Sequence, residues 1–91
     1  MARATKATLQ ALDAWLDEVR ELGIDGLVEK ANGAFYQRRA GILHFHEDAE
    51  GVYADVKVDG DWQRVPIDDL EGKRQVIRLL RQAYIATPGS P

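Results

Sequence analysis

The chain has no cysteine and a single serine, Ser90, among its 91 residues. Disulfides and thiolate chemistry are excluded, and a Ser or Cys nucleophile working with a histidine base is nearly so. The eight glycines stand singly, at turns or ends. Neither GxGxxG nor GxxxxGK[ST] occurs, which removes the common nucleotide-binding plans, and no cofactor is expected. Long apolar runs are missing too: none approaches the roughly 18 residues that span a bilayer. The opening stretch MARATKATLQ is basic but lacks the apolar segment of a secretory signal. Cytoplasm is the expected location, with no membrane partner. A formal charge of −3 opposes a general nucleic-acid binder, so a nucleic-acid partner is not expected.

What is present reads as a soluble, globular chain, 45% apolar and 30% charged. Its length suits one domain, 1–91, burying roughly 60–65% of the surface its unfolded chain exposes.

Apolar residues recur at Leu9, Leu12, Leu16 and Val19, widened by Trp15 and Leu22. That 3.6-residue period predicts a helix over 5–22, closed by Gly23. A second helix is predicted over 69–86. Asp68 and Glu71 form a D-x-x-E capping box, and Val76, Ile77, Leu80 and Tyr84 supply the apolar face. The tail 87–91 is expected to be disordered. Between the helices, the pairs Asn32-Gly33 and Asp59-Gly60 signal hairpins, and residues 39–41 and 47–50 can close two more. Strands are predicted at 27–31, 34–38, 42–46, 52–58 and 61–66. The short loops favour an antiparallel meander. The expected architecture is an α+β two-layer sandwich: helix, five-stranded antiparallel meander, helix, with both helices on one sheet face.

A four-residue loop at 47–50 sets His44 opposite Tyr53, and a three-residue loop at 39–41 sets Tyr36 opposite His44. One face then collects Val28, Phe35, Leu43, Phe45, Val52, Ala54, Val56 and Val58 as a core. The other collects Tyr36, Arg38, Ile42, His44, His46, Tyr53, Asp55 and Lys57. A two-residue turn at Asp59-Gly60 adds Trp62 to that outer face and puts Asp55 opposite Arg64; a bulged three-residue loop would turn Trp62 inward.

His44 and His46, the only histidines, point the same way along a strand, about 6.5–7 Å apart. Such a pair holds a transition metal when a third ligand converges, and Glu50, Glu47, Tyr53 and Asp55 are at hand. The stretch HFHEDAE resembles the His-x-His-x3-Glu core of the cupin metal motif, with His44, His46 and Glu50 in the ligand places. The resemblance spans seven residues. Arg38 and Lys57 occupy the places of the motif's flanking glycines, and the second cupin motif is absent.

On the first helix Asp13, Asp17 and Glu21 repeat at i, i+4 and i+8, with Glu18 and Asp25 nearby. The order of elements, an acidic first helix, an antiparallel sheet and a closing helix, resembles that of the frataxin family. The resemblance implies iron binding by acidic residues of the first helix; it carries over no individual residue. Arg74, Arg78 and Arg81 form a basic stripe on the second helix, with no aromatic interleaved for stacking.

The richest candidate surface is the outer sheet face with Tyr36, Arg38, His44, His46, Tyr53, Asp55, Trp62 and Arg64. Aromatics and arginine are the types enriched at interface centres. The expected function is a small non-enzymatic interaction module that docks a protein partner or a second copy of itself there. The alternative is a metal-binding protein using His44 and His46 or the acidic helix.

Overall fold

The computed structural model describes residues 1–30 and 33–85. The elements run β1 (Ala2–Arg3), α1 (Lys6–Arg20), β2 (Leu27–Lys30), β3 (Ala34–Gln37), β4 (Ala40–Asp48), β5 (Gly51–Val58), β6 (Asp61–Pro66) and α2 (Leu70–Tyr84). The five predicted strands form an antiparallel meander in the order β2-β3-β4-β5-β6. The two-residue β1 is an addition: it pairs with the far half of β4, Arg3 opposite His46. Two residues carry no periodicity, so β1 had no signature in the sequence. The expected tail at 87–91, Asn32 of the first hairpin, Ala31 and the last residue of the second predicted helix lie outside the described residues.

Thr5 caps α1, its side chain accepting from the Thr8 N–H at 3.2 Å. Leu12, Trp15, Leu16 and Val19 are buried by it. The cap of α2 is Asp69, which accepts from the Gly72 N–H at 2.9 Å. Asp68, the expected cap, instead turns its carboxylate back onto the Val52 N–H at 3.1 Å. Gly72 lets α2 approach the end of β6: a Cβ there would collide with the Pro66 carbonyl oxygen.

Both helices lie on one sheet face. Phe35, Leu43, Phe45, Ala54 and Val56 meet Leu16 and Val19 of α1, Val76 and Leu80 of α2, and Ile67 of the connection. Trp15 meets Phe45 edge-on, ring centroids 6.0 Å apart. Each buried Val, Leu, Ile or Phe of this set contributes about 1.5–3 kcal/mol through burial.

Three registers differ from expectation. The β4–β5 turn has two residues, not four, because the Asp48 carboxylate bonds the N–H groups of Glu50 and Gly51 and closes the chain early. His44 therefore faces Asp55, and His46 faces Tyr53. A slip of two leaves every side chain on its expected face. The β3–β4 turn is likewise two residues, Arg38 and Arg39, and the spare residue becomes a bulge, with Phe35 opposite Leu43 and Tyr36 opposite Gly41. The bulge sends Ile42 into the core, 2% exposed, rather than onto the outer face. Val28 pairs with Tyr36 and shares its outward side, so it is 51% exposed instead of buried. Leu27 points inward in its place.

Candidate functional site

Among the described residues, no helix covers the second face of the sheet. The register sets its rows. Lys57 pairs with Trp62, Asp55 stands between His44 and Arg64, and His46 stands between Arg3 and Tyr53. The two-residue turn at Asp59-Gly60, with φ of +51° and +85°, fixes that registration and turns Trp62 outward.

Asp55 is the charged centre, only 7% exposed. Arg64 grips it with both arms, Nε to Oδ1 at 2.7 Å and Nη2 to Oδ2 at 2.8 Å. His46 Nδ1 stands 2.9 Å from Oδ2, close in distance but not aligned as a hydrogen bond. The Arg64 guanidinium holds the Asp55 carboxyl below its ordinary range, against the opposing effect of burial.

His44 has an aromatic on each side. Its ring lies 5.8 Å from that of Tyr36 and 5.0 Å from that of Trp62, tilted 31° to the indole. Gly41 makes the seat: a Cβ there would stand 2.8 Å from His44 Nε2. That nitrogen is shielded and has no hydrogen-bond partner among the described residues. Burial lowers the His44 pKa, reinforced by the positive charge of Arg3. Three cations rest on the aromatic rings: Lys30 over Tyr36 at 4.6 Å, Lys57 over Trp62 at 5.5 Å and Arg64 over Tyr53 at 6.0 Å. Burial, with the neighbouring carboxylates of Asp48, Glu50 and Asp68, raises the Tyr53 hydroxyl. His44, His46, Asp55, Trp62 and Arg64 line an open cleft of about 480 Å³.

No protein-family model, curated protein or solved structure matches the chain. Neither the frataxin-like order of elements nor the cupin-like stretch is thereby joined to a known site, and the chemistry rests on the side chains themselves.

The structure brings Tyr36, His44, His46, Tyr53, Asp55, Trp62 and Arg64 onto one surface. It leaves Arg38 out, at the tip of the β3–β4 turn and 3.7 Å from Asp25. Glu50 sits exposed in the β4–β5 turn. Among the described residues no group of three or more His, Asp or Glu side chains is arranged to hold a metal ion. Sequence reasoning missed Arg3, Lys30 and Gly41. Lys30 follows from Val28 by alternation once β2 is placed in the right sense, whereas Arg3 depends on β1 and Gly41 on the bulge.

A larger cleft, about 630 Å³, lies between α1 and β2, lined by Lys6, Leu9, Gln10, Asp13, Leu16, Arg20, Glu29 and Gly33. Its charges satisfy one another. Arg20 bonds Glu29 at 2.7 and 2.8 Å, Asp17 at 2.7 Å and Asp13 at 3.1 Å. The acidic repeat of α1 is thus partly neutralised from within and makes less demand for a ligand. Arg74, Arg78 and Arg81 remain exposed on α2. No described helix is long and apolar enough to cross a membrane.

Proposed function

We propose that the chain is a small, non-enzymatic interaction module that docks another polypeptide, foreign or a second copy of itself, on its open sheet face. The observation that carries this reading is the order within an uncovered surface. Tyr36, His44 and Trp62 brace one another, and Asp55 is gripped by Arg64. Side chains already held in place lose little conformational entropy when a partner arrives, which favours tight recognition. Trp62, 46% exposed, and Val28, 51% exposed, stand at opposite edges of the face and offer apolar area to a partner.

Selection of a displayed peptide library against the intact protein tests the proposal. The selected peptides are expected to lose about tenfold in affinity on Trp62→Ala or Tyr36→Ala, equivalent to about 1.4 kcal/mol. They are expected to be indifferent to Arg74→Ala and Arg78→Ala on α2. Peptides that ignore the sheet substitutions, or a library that yields no binders, would count against a docking role for this face.

A further inference from the structure

The charge of the open face is opposite to that of the chain. Arg3, Lys30, Lys57 and Arg64 lie on it, with the carboxylate of Asp55 in its centre and that of Asp48 at one end, whereas the chain as a whole is at −3. Asp55 is already held by both arms of Arg64. Among the described residues Arg3, Lys30 and Lys57 make no ion pair. Asp48, Glu50 and Asp68 stand at one end of the face beside Tyr53, and Asp59 and Asp61 belong to the turn at the other end of β5. The acidic ridge of α1 belongs to the opposite layer.

We infer that the occupant of this face is an acidic segment of a foreign polypeptide, an inference that rests on the docking reading above. Charge decides against a second copy. In a two-fold dimer the face would meet a copy of itself, so Arg3, Lys30 and Lys57 would be brought against a surface carrying the same excess of positive charge. Ring geometry favours a polypeptide over single-stranded nucleic acid, which stacks its bases on free aromatic faces. Here Tyr36 lies against Lys30 and His44, Trp62 against His44 and Lys57, and Tyr53 against Arg64. The face presents ammonium groups seated on the rings, a carboxylate's natural partners. Lys30 on β2 and Lys57 on β5 are three strand spacings apart, about 14 Å, which an extended segment of about five residues covers.

The test is a titration of the isotope-labelled chain, at low salt, with a random Glu–Tyr copolymer, a short oligo-dT and phosphatidylglycerol vesicles as separate probes. The copolymer is expected to bind, with amide and indole shifts confined to the open face and to weaken steeply with added salt. Lys30→Glu with Lys57→Glu should weaken it by about tenfold or more. The milder pair Lys30→Gln with Lys57→Gln should lose less and keeps the test valid if the reversed pair does not fold. Arg74→Glu with Arg78→Glu on α2 should change nothing. Absence of copolymer binding, equal loss on the α2 substitutions, tighter binding of oligo-dT or vesicles to the same residues, or dimerisation of the free protein through this face would each overturn the inference. Library-selected peptides that bind the face without acidic bias would overturn it and leave the docking role standing; peptides that bind elsewhere would overturn both.

Discussion

Gly41 lies beneath the imidazole of His44, so close that a Cβ on the glycine would stand 2.8 Å from Nε2. The bulge in β4 puts it there: with Ile42 diverted into the core, Gly41 rather than a larger residue sits opposite Tyr36. Gly41→Ala should therefore push His44 off its seat between Tyr36 and Trp62. A loss of about 1 kcal/mol of stability is expected, the lower end of overpacking costs. The direct readout is the ring-current shift of the His44 protons, which should collapse toward solvent values. Unchanged shifts would mean that the glycine is not what seats the ring.

The two sheet faces should respond very differently to truncation. Phe45, 4% exposed and edge-on to Trp15, should cost about 3–5 kcal/mol as Phe45→Ala. His44→Ala removes a half-buried ring from the open side and should cost about 1 kcal/mol. Urea unfolding of both variants decides this, and equal losses would contradict the assignment of faces.

Asp55, gripped by Arg64, contributes to the acid limb of stability together with Glu29 and Glu47, whose pKa values are lowered as well. The folded pKa of Asp55 is lowered, so its contribution is fully present above its unfolded value of about 3.9 and is lost as pH falls through the folded value. Asp55→Asn should flatten the stability profile below about pH 4. At neutral pH it should cost about 1–3 kcal/mol, because Arg64 loses its anion. Calorimetric melts across the acid range read both effects.

Legibility followed periodicity. Alternation placed Phe35, Leu43, Phe45, Ala54 and Val56 in the core and His44, His46, Tyr53, Asp55 and Lys57 outside, and an error of two in register could not disturb that. Loop lengths were less legible. Asp48 can close a turn from its own side chain, and nothing in the residue type alone says whether it will. Arg38 and Arg39 carry no turn signal at all, so the bulge that buries Ile42 and frees Gly41 was hidden with them. At the candidate site, the Asp55–Arg64 pair followed from the Asp59-Gly60 turn. The cationic character of the face needed Arg3 and Lys30, whose placement depends on pairing rather than pattern.

The Arg38–Arg39 turn is itself improvable. Its residues have φ of +50° and +72°, a left-handed conformation in which side chains other than glycine cost about 1–2 kcal/mol each. The ion pair of Arg38 with Asp25, at 3.7 Å between almost fully exposed side chains, offsets little of that. Replacing the pair by Arg38→Asn with Arg39→Gly supplies the residues that a two-residue hairpin turn of this kind prefers. A gain of about 1 kcal/mol and a rise in Tm of about 4–8 °C are expected. A variant that melts lower would show that the arginines are held there by contacts worth more than the turn.

His44 should act as a proton-sensitive element of the open face. Arg3 of β1, His46 beside it and Lys57 of β5 disfavour its protonation, Asp55 favours it, and burial under Trp62 and Tyr36 outweighs the carboxylate. The folded pKa is thus lower than the unfolded value of about 6.5. Below that value the unfolded chain takes up a proton that the folded chain resists, so the contribution of His44 is present above about pH 6.5 and is lost as pH falls through the folded value. The imidazole signals of His44 should titrate with a midpoint below 6.5, and His44→Gln should reduce the fall in Tm on acidification from neutral pH. Protonation would also add a cation to an already cationic surface. An acidic probe bound there should then hold more tightly at low pH while the protein itself becomes less stable. A His44 midpoint at or above its ordinary value would mean that the imidazole is not desolvated between Tyr36 and Trp62.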